Sequence, residues 1–133
     1  MIKMVYGRRR GAALVDTPKG ILVVSGRRKL FILPGGGANK GESRRKAAIR
    51  ELYEETGLHT VSANYLFRYL GPVHKSHGGG HFQDHNKVFL IKANGRARPR
   101  HEVKYINYYK EGSKIRISGT TKAIIKKYLK INT

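Results

Sequence analysis

The sequence predicts an α/β fold in which a mixed β-sheet lies between helices, an α/β/α sandwich. Short apolar runs typical of buried strands alternate with two helical segments, one near the middle of the chain and one at its end. The length of 133 residues suits one domain with a substantial hydrophobic core. We therefore expect residues 1–133 to form a single domain.

The first part of the chain carries three apolar runs separated by turn-forming residues. The runs are residues 12–15, 21–24 and 30–33. The last of them leads into Pro34 and three consecutive glycines, where the backbone can turn tightly and pass close to a ligand. The order is thus strand, strand, glycine-rich loop and then a helix.

The second part continues with further strands and a final helix. Strands are predicted at residues 61–70, closed by a turn at 69–72, and then at 87–93 and 102–109. Residues 120–131 form an amphipathic helix whose apolar stripe contains Ala123, Ile124, Tyr128 and Leu129.

The central helix has recognisable ends and two different faces. Ser43 is a good N-cap, and Gly57 is suited to end the helix in the left-handed conformation. A helix turns about 100° per residue, which places an apolar arc on one side for packing on the core. That arc contains Ala48, Ile49, Leu52 and Tyr53.

The opposite arc of this helix carries three glutamates. Glu51, Glu54 and Glu55, together with Glu42 upstream, are four of only eight acidic residues in a chain of net charge +20. Like charges at i and i+4 cost an isolated helix a few tenths of a kcal/mol, about 0.2–0.5. A divalent cation would reverse that cost, and Mg²⁺ prefers carboxylate, phosphate and water oxygens. Arg50 adjoins Glu54 and can hold a carboxylate in orientation.

Residues 36–58, GGANKGESRRKAAIRELYEETGL, fit the 23-residue pattern G-x5-E-x7-R-E-U-x-E-E-x-G-U, in which U is a bulky aliphatic residue. Every fixed position is filled, by Gly36, Glu42, Arg50, Glu51, Leu52, Glu54, Glu55, Gly57 and Leu58. This pattern is the Nudix box, and the chain resembles the Nudix hydrolase family. Residues 8–37 also look like the family's usual approach to the box, whereas the chain after Tyr65 resembles it only in pattern.

The resemblance implies the same sandwich fold and the hydrolysis of a diphosphate bond in a nucleoside diphosphate linked to another group. It also implies a Mg²⁺ site, with Mn²⁺ as a substitute, on Glu51, Glu54 and Glu55, completed by the Gly35 carbonyl. Glu51 is the expected base, and Arg50 and Glu42 would brace the loop and helix. Some family members use a later acid as a further metal ligand or as the base, for which Glu102 is the preferred candidate here, ahead of Asp84 and Glu111.

Substrate identity depends on residues outside the box. Arg8, Arg10 and Arg27 are candidates for gripping distal phosphates, and Phe31 for contacting a base. The expected substrate is a polyanionic nucleotide such as a nucleoside triphosphate or a dinucleoside polyphosphate. The alternatives are diphosphoinositol polyphosphate, ADP-ribose, or a non-catalytic module that senses nucleotides or binds RNA.

The composition limits the protein class. The chain contains 28 Lys and Arg residues, and so strong a positive field favours polyanions, with nucleic acid among the candidate partners. The sequence has no cysteine, which excludes disulfides and argues against the related isopentenyl diphosphate isomerases, which use a cysteine. No apolar run suggests a membrane span or a signal peptide, so we expect a cytoplasmic monomer or homodimer without membrane contact.

Four histidines cluster after the central strands, in HKSHGGGHFQDH. They are His74, His77, His81 and His85. Such a cluster raises the question of zinc, but three consecutive glycines would make the segment flexible. We therefore predict a mobile loop at the mouth of the active site, with histidines that contact phosphate or base.

Overall fold

The computed structural model describes residues 5–132. In chain order they form β1 (Val5–Leu14), β2 (Asp16–Thr17), β3 (Gly20–Ser25), β4 (Gly35–Gly37), α1 (Arg44–Thr56), β5 (His59–Lys75), β6 (His81–Asn94), β7 (Tyr105–Tyr109) and α2 (Gly119–Ile131). None of the helices in residues 5–132 is long and apolar enough to cross a membrane.

The strands form two sheets. A four-stranded sheet has the order β4-β1-β6-β5, in which β1 and β6 run parallel and the other pairs antiparallel. A smaller antiparallel sheet has the order β2-β3-β7. The mixed character of the sheet matches the prediction, and the second sheet is an addition that the strand pattern did not indicate.

Two apolar clusters cover opposite faces of the strands, because side chains alternate along a strand. Ala13 and Leu22 pack with Leu52 of α1, whereas the neighbouring Leu14 and Val23 belong to the cluster that includes Ile125 of α2. Each helix therefore covers a different face, which confirms the α/β/α sandwich.

Several predicted boundaries are wrong, because strand pairing over long sequence separations extends or removes elements. Strand β1 begins at Val5 rather than at residue 12, since its polar first half pairs in parallel with β6 from Val5–His81 onward. Residues 30–33 make only isolated bridges, Val24 with Ile32 and Phe31 with Ile117.

The histidine segment is a β-hairpin and not a loop, so that prediction was wrong. Strand β5 continues through Gly71 and Pro72 to Lys75 with an irregular register, and β6 starts again at His81. Only residues 76–80 form the turn, closed by the amide of Ser76 donating to the carbonyl of Gly80 at 2.7 Å. Pairing with both β1 and β5 gives this segment the support that local sequence could not reveal.

Helix α1 has the predicted ends. The Ser43 hydroxyl accepts a hydrogen bond from the amide of Lys46 at 3.0 Å, and Gly57 ends the helix with φ of 77°. Its buried face is shifted from the predicted arc: Ala47 and Thr56 are fully buried, whereas Tyr53 is 41% exposed. Small side chains allow α1 to lie close to β1.

The close approach of α1 to β1 leaves no room for a side chain at Gly11 of β1. A Cβ atom at this position would overlap the carbonyl oxygen of Arg44 and lie 2.8 Å from the amide nitrogen of Ala48. We expect Gly11→Ala to lower the free energy of unfolding by about 3 kcal/mol, since helix backbone cannot give way as a flexible side chain can. Gly37→Ala is the matched control, because nothing lies within 4 Å of its added Cβ. Chemical denaturation of both variants checks this, and equal stabilities would contradict it.

Candidate active site

Arg50 of α1 connects three of the box carboxylates. Its Nε and Nη2 donate to the two carboxylate oxygens of Glu42 at 2.9 and 3.0 Å. Its Nη1 donates to Glu51 Oε1 at 2.9 Å and to Glu54 Oε2 at 3.3 Å. The remaining donor of Nη2 reaches the Gly37 carbonyl at 3.1 Å, so that one guanidinium joins the loop to the helix.

The Glu42 carboxylate is fixed as an anion by these contacts. The guanidinium of Arg50 lowers the pKa of Glu42 to about 2, and the amide of Asn39, which donates to Glu42 Oε1 at 3.0 Å, adds to the effect. Glu42 thus ties the loop before α1 to the helix itself.

Glu55 has the opposite electrostatic setting. Its Oε1 accepts a hydrogen bond from the amide of Gly35 at 2.9 Å. Burial raises the pKa of this carboxyl to about 7 despite that bond, and the negative charges of Glu51 and Glu102 add to the rise, whereas Arg10 opposes it. Glu55 is therefore a half-buried carboxylate whose negative charge is incompletely compensated.

The glycines of β4 let the backbone pass directly under these carboxylates. A Cβ atom on Gly36 would lie 2.6 Å from Glu51 Cδ. Gly35 has φ of 153°, and a Cβ there would overlap the carbonyl oxygen of Gly11 in the paired strand β1. Glycine at both positions permits β4 to lie between β1 and the acidic arc of α1.

The chemistry of this donor set fits a hard divalent cation. Glu51, Glu54 and Glu55 offer carboxylate oxygens, and Glu55 lacks sufficient positive charge beside it. The side chains are not already gathered around one point: within residues 5–132, no group of three histidine or acidic side chains forms a ready-made metal centre. A cation would compete with Arg50 for Glu51 and Glu54. The carbonyl of Gly35 stays a predicted ligand, and the contact seen at this residue is through its amide.

The three acidic residues that follow the box in sequence, Asp84, Glu102 and Glu111, lie in different parts of the fold. Glu102 is exposed in a turn before β7, close enough to Glu55 to raise the pKa of that carboxyl. Asp84 of β6 is paired with Arg8 at 2.7 Å and lies 4.0 Å from Arg10 Nε. Glu111 lies after β7 against α2. Glu102 stays the preferred additional candidate.

The predicted substrate contacts are only partly brought together. Arg10 is half-buried near Glu55, whereas Arg8 stacks its guanidinium 4.0 Å from the Phe82 ring centroid and pairs with Asp84. Arg27 lies exposed in the turn after β3. Phe31 is only 6% exposed and packs in the core cluster of α2, so its ring is not presented to a base, contrary to the sequence-based expectation.

A cavity of about 210 Å³ adjoins Gly35 on the α2 side of the sheet. Its polar lining includes Arg10, Asp84, Asn86, Ser118 and Thr120. Asn86, Ser118 and Thr120 were not identified from the sequence. Asn86 lies just before the strand predicted at residues 87–93 and is only 7% exposed, because β6 begins earlier, at His81, and neither it nor the start of α2 carried a sequence signal.

The raised pKa of Glu55 and the lowered pKa of Glu42 predict opposite effects of pH on the stability of the metal-free protein. The folded-state pKa of Glu55, about 7, lies above its ordinary 4.5, so its ionisation lowers stability as pH rises between these values. With each pKa unit equal to about 1.4 kcal/mol, Glu55→Gln should be more stable than the parent by on the order of 3 kcal/mol at pH 8, and no more stable below pH 4.5.

Glu42→Gln is the control of opposite sign. The folded-state pKa of Glu42 is depressed, so its contribution is present above pH 4.5 and lost as pH falls toward 2. This variant should be less stable than the parent at neutral pH. Urea denaturation in a chelator across pH 2–8 measures both, and a Glu55→Gln variant less stable than the parent at pH 8 would contradict the assigned environment.

Known proteins resemble the chain in sequence and in fold. The family model for the NUDIX domain matches residues 5–111. An RNA pyrophosphohydrolase of Brucella anthropi is 54% identical over 39 residues, which are 29% of this chain and 22% of that protein. The match thus spans about a fifth of the length of this curated relative.

The solved structures cover much more of the chain. A Chromobacterium violaceum protein assigned to the Nudix hydrolase family aligns with a TM-score of 0.79 and 33% identity, over 95% of this chain and 79% of that one. The MutT protein of Methanosarcina mazei aligns with a TM-score of 0.77 over 96% of both chains, at 17% identity, and shares the fold. On the family model and the arrangement of the box residues, the chain belongs to the Nudix hydrolase family.

Proposed function

We propose that this chain is an Mg²⁺-dependent hydrolase that cleaves the diphosphate bond of a nucleoside diphosphate linked to another group, with residues 1–133 acting as one Nudix domain. The observation that supports this most directly is the carboxylate arrangement of α1. Arg50 orients Glu42, Glu51 and Glu54, and the Gly35 amide orients Glu55. Family membership and the chemistry of the donor set point the same way.

Glu51, Glu54 and Glu55 would hold the cation. When bound, Mg²⁺ neutralises charge on the phosphate oxygens and lowers the pKa of a water molecule. Arg50 holds the side chains of Glu51 and Glu54 in orientation, and Glu42 keeps Arg50 in place. Glu51 was the expected base. Glu55 is assigned to the cation alone, because its half-buried carboxylate lacks a fully compensating cationic partner in the metal-free protein.

The proposed substrate is a polyanionic nucleotide, either a nucleoside triphosphate or a dinucleoside polyphosphate. The net charge of +20 favours substrates with many phosphates. The match to an RNA pyrophosphohydrolase favours a 5′-phosphorylated RNA as a second candidate. ADP-ribose and diphosphoinositol polyphosphates, or nucleotide sensing without catalysis, are the remaining alternatives.

A substrate panel tests the proposal. Nucleoside triphosphates, dinucleoside polyphosphates, ADP-ribose, diphosphoinositol polyphosphate and a short 5′-triphosphorylated RNA are incubated with Mg²⁺ or with a chelator, and products are resolved by chromatography. We expect cleavage at a diphosphate bond that depends on the cation, with the nucleotide polyphosphates preferred. Binding without turnover across the whole panel would identify a sensing module instead.

A further inference from the structure

A basic surface lies on the α1 side of the mixed sheet, at the N-terminal end of α1. A cavity of about 490 Å³ is open there, lined by Arg44, Arg68, Leu70, His85 and Asn86. None of these lining residues is acidic. Arg44 is the first residue of α1, and Glu51, the nearest of the three proposed cation ligands, is seven positions later, about 10 Å along the helix axis, so this surface borders the carboxylate site without containing its cation ligands.

Strand register places the basic side chains on one face. His85 of β6 pairs with Arg9 of β1 on one side and with Leu70 of β5 on the other. Lys87, two residues along β6, pairs with Arg68, and alternation puts it on the same face as His85. The α1-side patch comprises Arg9, Arg44, Tyr65, Arg68, His85 and Lys87.

Positive charge in the α1-side patch is not neutralised by the contacts its arginines make. Nη1 of Arg44 donates to the carbonyl of His85 at 3.3 Å, and Nη2 of Arg9 donates to the carbonyl of Glu42 at 3.1 Å. Burial lowers the pKa of Arg44, and repulsion from Arg9 and Arg68 lowers it further. Arg8 and Arg50, by contrast, pair with carboxylates. An anion bound at the patch would relieve this crowding of like charges.

An exposed aromatic ring lies among these cations. Tyr65 is 52% exposed, packs edge-on against Phe89 at 5.9 Å between centroids, and has Lys87 Nζ 5.7 Å from its ring centroid. Leu70, which pairs with His85 farther along β5, is 57% exposed. A groove of cations with an aromatic platform is the combination that binds single strands, through phosphates and stacked bases together.

We propose that the α1-side patch binds single-stranded nucleic acid, with Arg44, Arg68 and Lys87 contacting phosphates and Tyr65 stacking on a base. This activity is independent of the hydrolysis proposed above, since it uses none of the box carboxylates. Simple anions would satisfy the arginines but would leave the exposed ring of Tyr65 without a role.

Oligonucleotide binding measured by fluorescence anisotropy tests this, using a labelled single strand of about 12 nucleotides, in a chelator so that no hydrolysis occurs. The double variant Arg44→Gln, Arg68→Gln should reduce the slope of log affinity against log salt concentration by about 1.4. Each phosphate that the variant no longer neutralises lowers this slope by about 0.7. Tyr65→Leu should weaken binding about fivefold or more without changing that slope. Leucine keeps an apolar contact for Phe89.

The matched control is Lys114→Gln with Lys126→Gln, which removes the same charge at exposed positions outside the patch. It should leave the slope unchanged. Equal reductions of the slope in the two double variants, or unchanged affinity for Tyr65→Leu, would overturn the proposal, because binding would then follow net charge alone. Equally tight, patch-dependent binding to anionic phospholipid vesicles would also overturn it. If the double variant has a lowered melting temperature, the single variant Arg68→Gln replaces it. Because the Arg68 side chain is exposed, this variant should keep its fold and show half of the reduction in slope.

Discussion

Glu54→Gln is expected to remove nearly all Mg²⁺-dependent hydrolysis while the fold stays intact. The substitution keeps the size of the side chain and deletes one negative charge from the proposed cation site. Because changes even outside the ligand shell cost roughly 10–100-fold, loss of a ligand charge should cost more than about a hundredfold in turnover. The Glu54 side chain is 45% exposed, so the core does not depend on it.

Glu51→Gln and Glu55→Gln should behave similarly in turnover. Glu111→Gln is the matched control, because this exposed acid lies beside α2, away from the box. Initial rates at saturating Mg²⁺ and thermal melts of the same preparations separate lost chemistry from lost structure. A Glu54→Gln protein with near-normal turnover, or one that fails to fold, would refute the role of this carboxylate.

Arg50→Ala is the second substitution with a large expected effect. It removes the partner of Glu42, Glu51 and Glu54 and the bond to the Gly37 carbonyl, leaving three carboxylates without their common cation. We expect turnover to fall between about 10- and 100-fold, with a lower melting temperature. Excess Mg²⁺ should restore part of the stability, because the cation replaces some of the missing positive charge.

Arg50→Lys distinguishes charge from geometry. Lysine keeps the positive charge but lacks the planar fork that holds both oxygens of Glu42, so stability should recover more than turnover. Arg45→Ala is the control on the same helix, since Nε of Arg45 donates to the carbonyl of Ala63 rather than to a carboxylate. Turnover equal in Arg50→Ala and Arg45→Ala would contradict the organising role of Arg50.

The fold class and both helices were predictable because their signals are local. Ser43 and Gly57 mark the ends of α1 through their own backbone preferences. Strand extents were harder, because the first half of β1 and the histidine hairpin are polar and are strands only through pairing with β6. The burial of Phe31 likewise depends on α2, almost a hundred residues later.

In the candidate site too, features with a local sequence signal were predictable, whereas features set by long-range strand pairing were not. The periodicity of α1 placed Glu51, Glu54 and Glu55 on one arc, and the complete box identified Arg50 and Glu42 as their neighbours. Which glutamate lies against β4 could not be predicted, because β4 is positioned by pairing with β1. The pairing of Asp84 with Arg8 joins residues 76 positions apart, and no local pattern could indicate it.

The most direct test of the proposed cation site is calorimetric titration of Mn²⁺ into the wild-type chain and into a variant with Glu51, Glu54 and Glu55 all replaced by glutamine, at pH 8. Mn²⁺ serves as the substitute for Mg²⁺ at a carboxylate site. We predict saturable binding to the wild-type chain, accompanied by a higher melting temperature, and neither effect in the triple variant. Equal binding by the two proteins would show that the carboxylates of α1 do not hold the cation.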